Sequence, residues 1–138
     1  MEITTRPAIT LSERDLDRLE AMLAGLPDDQ PGVDALREEL DRAQILPSEQ
    51  MPADVVTMNS RIRFVVEPAG KEVEVDLVYP RDLTGLPDQL SVTTPAGIAV
   101  LGLAVGQQIA WLAPNGQTVR ARIVDVTYQP ERTGDYTL

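Results

Sequence analysis

Leu16, Leu19, Leu23 and Leu26 recur at alternating steps of three and four residues, and Val33, Leu36, Leu40 and Ala43 repeat the spacing. Such steps place side chains on one narrow stripe of a helix. The sequence therefore predicts two helices, the first from about Thr10 to the Gly25 and Pro27 stop signals, the second from Gly32 to about Gln44 with Pro47 beyond. Thr10-Leu11-Ser12-Glu13 reads as a capping box, in which the Thr hydroxyl accepts from the amide of Glu13. The connection Pro27-Asp28-Asp29-Gln30-Pro31-Gly32 is short, so the helices must run antiparallel, seam against seam. Each arm has about 14 residues, a length of roughly 21 Å. An isolated pair this short is marginal in water, so its base should lean on the rest of the chain.

From Pro52 onward the period changes to two. Arg61–Glu67 and Glu72–Leu77 alternate apolar and polar residues around Pro68-Ala69-Gly70-Lys71, the pattern of a hairpin with one dry and one wet face. The wet faces are complementary, with Arg61 and Arg63 opposite Glu72, Glu74 and Asp76. Gln108–Ala113 and Thr118–Tyr128 flank Pro114-Asn115-Gly116-Gln117, and Asn-Gly is a strong hairpin signal. In the last strand the apolar phase slips between Ile123 and Val124, which predicts a bulge there or burial of both faces. Between the hairpins come Leu90-Ser91-Val92, the loop Thr93–Gly97 and a short apolar turn, Ile98–Leu101, closed by Gly102. The fold class expected is α+β: a short N-terminal antiparallel helical hairpin (coiled coil) over residues 1–51, and a bent, mostly antiparallel sheet covering a short helix over residues 52–138.

Charge follows the same division. Residues 1–60 hold 13 acidic and 5 basic residues, and residues 61–138 hold 9 and 7, for a net charge of −10 over 138 residues. A chain this acidic repels phosphate backbones, which argues against autonomous nucleic-acid binding. There is no Cys and no His, so disulfides, thiol and imidazole catalysis and nearly all zinc or haem sites are excluded. No apolar run approaches a membrane span and the acidic start Met1-Glu2-Ile3 is unlike a signal peptide. A cytoplasmic monomer without cofactor is the expectation.

Candidate chemistry is correspondingly thin. Asp28 and Asp29 are adjacent carboxylates at the hairpin tip and could face a Mg²⁺ held mainly by another macromolecule; the plainer reading is a solvated acidic loop. Glu38, Glu39 and Asp41 read as a wet helix face. Leu101–Gly106 has neither the third glycine nor the Lys-Ser/Thr of a phosphate cradle and reads as a tight entry into a strand. Phe64 and Trp111 fall in register with the apolar faces of their strands and are assigned to the core. Met58-Asn59-Ser60 reads as a turn without further role. No catalytic residue and no metal site is assigned.

The run Val92-Thr93-Thr94-Pro95-Ala96-Gly97 leading into Val100–Gly106 and then Pro114-Asn115-Gly116, behind a helical hairpin, resembles the Gre transcript-cleavage factor family. Met51–Ser60, Leu77-Val78-Tyr79-Pro80, Leu101-Gly102-Leu103 and Tyr128–Glu131 through Gly134-Asp135-Tyr136 resemble a short-fingered, RNA polymerase-interacting branch of that family over nearly the whole chain. The resemblance implies an FKBP-like C-terminal domain that docks at the rim of the polymerase secondary channel, with a finger whose tip carboxylates, in Gre factors, help hold the catalytic Mg²⁺. It places docking at Thr93, Thr94, Pro95, Ala96 and Gly97, with Thr93 where some Gre members carry an acid. Arms this short would leave Asp28 and Asp29 outside the reaction centre, so the resemblance points to a non-catalytic regulator that competes with Gre-type factors. Peptidyl-prolyl isomerisation or stimulated transcript cleavage are the alternatives. An adaptor that raises nucleoside diphosphate kinase levels indirectly is compatible with the first reading.

Overall fold

The computed structural model describes residues 2–5, 7–113 and 115–134; Met1, Pro114, Asp135 and Tyr136, which figured in the sequence reading, lie outside them. The chain opens with β1 (Glu2–Thr5) and β2 (Thr10–Ser12), then the helices α1 (Glu13–Ala24) and α2 (Val33–Arg42), and β3 (Gln44–Leu46). The strands β4 (Arg61–Glu67), β5 (Lys71–Val78) and β6 (Gln89–Ser91) follow, then α3 (Pro95–Val100), β7 (Gln108–Leu112), β8 (Thr118–Tyr128) and the one-turn α4 (Pro130–Thr133).

The helical hairpin forms where the leucine spacing places it, with a different start. Helix α1 begins at Glu13, and Ser12 rather than Thr10 is its cap, accepting from the amide of Asp15 at 3.0 Å. Thr10–Ser12 is instead extended and pairs in parallel with β3. Ser caps as well as Thr, and the pairing with β3 together with full burial of Leu11 outweighs two more helical residues. Leu19, Leu23, Val33, Leu36 and Leu40 are buried as the seam requires, whereas Leu16 is only partly so. The arms are 12 and 10 residues long, or roughly 18 and 15 Å.

Six strands make one sheet in the order β1-β7-β8-β4-β5-β6, antiparallel throughout except for the parallel pair β5 and β6. The charged faces of β4 and β5 meet as the alternation predicts: Arg63 lies opposite Glu74, and Arg61 reaches Glu74 at 3.1 Å and Asp76 at 3.3 Å. The phase slip in β8 is a bulge. Arg63 pairs with Asp125 and Phe64 with Ile123, leaving Val124 without a partner. Ala121 and Ile123 before the bulge and Val126 after it are thereby all turned inward.

A single hydrophobic cluster joins the helical seam to the sheet, running from Leu19, Leu36 and Leu40 through Ile98 to Ile62, Leu77 and Ile123. The hairpin is therefore packed along its length and is not an appendage leaning on its base. The N-terminal segment contributes to the sheet as well, since β1 is an edge strand on β7. Pairing and core thus both cross the 51/52 boundary read from the sequence. The segment between hairpin and sheet is equally integral, because Val55, Val56, Thr57, Met58 and Ser60 are buried and Val56 bonds Leu103 and Gly102 through its backbone.

Candidate partner-docking surface

The turn from the end of β6 at Ser91 into α3, which starts at Pro95 and so takes in the second half of the expected loop, is built by its own short polar side chains. The Thr94 hydroxyl donates to the Ser91 carbonyl at 2.7 Å and accepts from the Gly97 amide at 3.1 Å, so it closes the turn and caps α3 together. The hydroxyls of Ser91 and Thr93 lie 2.9 Å apart. Pro95 occupies the first turn of α3, where a missing N–H costs nothing. The result holds Pro95 exposed and Thr93, Thr94 and Ala96 half-buried. Gly97 is buried, so its part is positional: a Cβ there would lie 2.1 Å from the Ser91 carbonyl oxygen.

The hairpin turn comes directly against this loop. Gly32, with φ of 90°, caps α2, and a Cβ on it would stand 2.5 Å from the Thr93 carbonyl oxygen and 3.3 Å from Ile98 Cδ1. Asp28 and Asp29 are exposed in the same turn, and Asp28 accepts from Arg37 at 3.3 Å. Among the described residues no group of three or more carboxylates is placed to hold a metal ion. Phe64 and Trp111 are core, as expected. Within Leu101–Gly106, Gly102 packs on Ile9 at the entry to the following strand.

A buried polar junction, unread in the sequence, ties α1 to the rest. Asp15, fully buried, accepts from the Met58 amide at 2.9 Å and from Arg18 at 2.6 Å. Beside it Thr57 donates to Glu131 at 2.7 Å and sits 2.7 Å from the Ser60 hydroxyl. The Arg18 and Arg81 guanidiniums lie 5.3 and 5.4 Å from the ring centre of buried Tyr79. Glu39, expected on a wet face, is also buried and pairs with Arg42, which donates in turn to the Pro7 carbonyl at 2.7 Å. A signal for both acids existed: Asp15 stands four residues before Leu19 and Glu39 three after Leu36, so each lies on the apolar stripe.

Burial raises the pKa of Asp15 above its ordinary 3.8, against the lowering effect of the Met58 and Arg18 hydrogen bonds. Burial, with the nearby Asp15 charge, raises Glu131 against its bond from Thr57, and burial also raises the Tyr79 phenol. A carboxyl raised on folding binds its proton more tightly in the native state, so its contribution is present below the unfolded pKa and is lost as pH rises through the folded one. Glu131→Gln, neutral at every pH, should accordingly be at least as stable as the parent near about pH 7 and lose that relative advantage toward about pH 4. Urea midpoints of the two proteins across this range test it, and a Gln variant that gains on the parent as pH falls would reverse the sign.

A short helical hairpin packed on a bulged mixed sheet, with a self-capped loop at its turn, is a GreA/GreB-type arrangement. The family profile "Transcription elongation factor, GreA/GreB, C-term" matches residues 51–128, and the profile "Rnk N-terminus" matches residues 7–46. The regulator of nucleoside diphosphate kinase of Escherichia coli K12 is 44% identical over 139 aligned residues, covering 97% of this chain and 99% of that protein. The transcription elongation factor GreA of Syntrophomonas wolfei is 30% identical over 92 residues, 67% of this chain and 57% of that one. A solved structure described as a prokaryotic transcription elongation factor GreA/GreB from Nitrosomonas europaea is 45% identical, with a TM-score of 0.71 over 89% of this chain and all of the other. The chain belongs to the Rnk family of GreA/GreB-like proteins. These matches are to regulators and elongation factors and indicate no enzyme family. No helix among the described residues is long and apolar enough to cross a membrane.

Proposed function

We propose that this protein is a non-catalytic, monomeric cytoplasmic transcription regulator that binds RNA polymerase near its secondary channel through the Thr93–Gly97 loop and keeps Gre-type factors from that site. An effect on nucleoside diphosphate kinase, the target in the E. coli relative's name, then follows indirectly. The observation that carries the reading is the contact of Gly32 with Thr93. Asp28 is four residues from Gly32, and four residues span at most about 15 Å. If the loop sits at the rim, the tip carboxylates stay near the rim too, whereas metal-centred cleavage needs them within about 2.1 Å of a Mg²⁺ or one water beyond. An FKBP-like sheet is part of this proposal; isomerase activity is not, since Phe64 and Trp111 are sunk in the core and leave no aromatic groove built from them.

The test uses the full chain, because residues 52–138 alone would lose β1 from the sheet edge. Purified protein should displace a labelled Gre factor from core RNA polymerase. Pro95→Ala or Ala96→Glu should weaken displacement roughly tenfold, through lost contact or a mismatched charge. The double variant Asp28→Asn, Asp29→Asn should compete nearly as well as the parent, and neither protein should release short 3′ RNA from a backtracked complex. Displacement unaffected by Ala96→Glu in a normally folded variant would remove the docking assignment. RNA products that vanish with the double Asn variant would restore the tip as a metal-binding pair.

A further inference from the structure

A cleft separate from the Thr93–Gly97 loop lies against α1. About 440 Å³ in volume, it opens between α1 and the turn that follows β5, floored by Met22, Leu26, Tyr79 and Pro80 and flanked by Arg18 and Arg81. None of its lining residues is acidic, on a chain with 22 acidic residues and a net charge of −10. Its two cations differ in role. Arg18 is committed to buried Asp15 and packs on Tyr79, forming part of the wall. Arg81 also packs on Tyr79, but its side chain is 75% exposed and its ion pair is with solvent-facing Asp82 at 4.0 Å. Beyond Arg81 the chain continues into Leu83 and Leu86, which are 48% and 61% exposed, two of the four large apolar side chains left exposed among the described residues.

We propose that this cleft docks an acidic, extended segment of a partner protein that inserts one apolar side chain between α1 and Pro80 while flanking carboxylates meet Arg81. Charge selects the occupant: the apolar floor supplies contact area, and exposed Arg81, held by Asp82 only at 4.0 Å beside a cleft with no acidic lining residue, favours acids over basic chains. The leucines decide between a peptide and a small anion. A free anion filling the cleft leaves Leu83 and Leu86 in water, whereas an extended segment that continues along the chain past Arg81 reaches Leu83 two residues on and Leu86 five residues on, and exposed large apolar side chains of this kind mark protein contacts. The site is independent of polymerase docking at Thr93–Gly97.

The experiment is an amide NMR titration of the full ¹⁵N-labelled chain with an acetylated octapeptide of Asp and Glu around a central Leu-Phe. Its basic counterpart with the same Leu-Phe, N-acetylglutamate and inorganic phosphate complete the probes. The acidic peptide should shift Met22, Gly25, Leu26, Arg81 and Leu83 at one site, with binding weakened by salt. Arg81→Glu should weaken it at least about tenfold, and Leu83→Asp with Leu86→Asp several-fold, with the dispersion of the free spectra unchanged. Absence of localised shifts at about 1 mM peptide overturns the proposal. So does equal binding of the basic peptide, an unaffected Arg81→Glu variant, or N-acetylglutamate or phosphate matching the acidic peptide, which would make this a free-anion site.

Discussion

Gly97→Ala should unfold or severely loosen the protein, by about 3 kcal/mol, although it adds one methyl group to a helix. The new Cβ would lie 2.1 Å from the Ser91 carbonyl oxygen and 2.9 Å from both the Ser91 carbonyl carbon and the Val92 Cα. All three are backbone atoms, so no side-chain rotamer relieves the overlap. Helix α3 would have to move off the end of β6, which breaks the Thr94 cap and displaces Ile98 from the cluster that joins hairpin and sheet. Chemical denaturation of the purified variant gives the number, and a midpoint within about 0.5 kcal/mol of the parent's would mean that the Ser91–Gly97 turn yields easily. The same movement shifts Pro95 and Ala96, so under the proposed docking any polymerase binding should fall with stability in this variant, unlike Ala96→Glu, where binding alone should fall.

Asp15→Ala should cost about 3–5 kcal/mol, comparable to breaking a buried ion pair from one side. Removing the carboxylate orphans the Met58 amide in the interior and leaves Arg18 without the 2.6 Å partner that holds it over Tyr79. Asp15→Asn separates the contributions: an amide oxygen can still accept from Met58, so the loss should be roughly half as large. Because burial already disfavours the Asp15 charge, the neutral Asn forfeits pairing with Arg18 but escapes part of the desolvation cost. Urea melts rank the three proteins, and hydrogen exchange at the Met58 amide locates the damage. Equal stability of Ala and Asn variants would place the energy in the ion pair alone.

The Asp15 prediction concerns a contact between segments distant in sequence, 43 residues apart, and there the reading from sequence fell short. Period and punctuation are local properties, and what depends on them was legible: the two helices from leucine spacing, the β4–β5 ion pairs from alternation, the β8 bulge from a slipped phase, the burial of Phe64 and Trp111 from register. The docking role of Thr93–Gly97 is implied by resemblance alone, while its residues build the turn themselves through the Thr94 and Ser91 hydroxyls. The start of α1 was misplaced because Thr10 and Ser12 are equally good caps and only the pairing of β2 with β3, more than 30 residues away, distinguishes them.

What the sequence by itself determined is the inventory of elements and, with no Cys and no His in the chain, the exclusion of disulfides and of thiol and imidazole chemistry. Only the tertiary structure decided where the hairpin lies. Two short apolar seams expose more hydrophobic surface than they can cover in each other, and nothing in their spacing says which further surface completes the burial. The fold answers with Ile98 and the sheet, seals the join with Asp15 on Met58, and thereby sets Gly32 on Thr93. The place of the hairpin turn against the loop follows from that packing and from no local pattern.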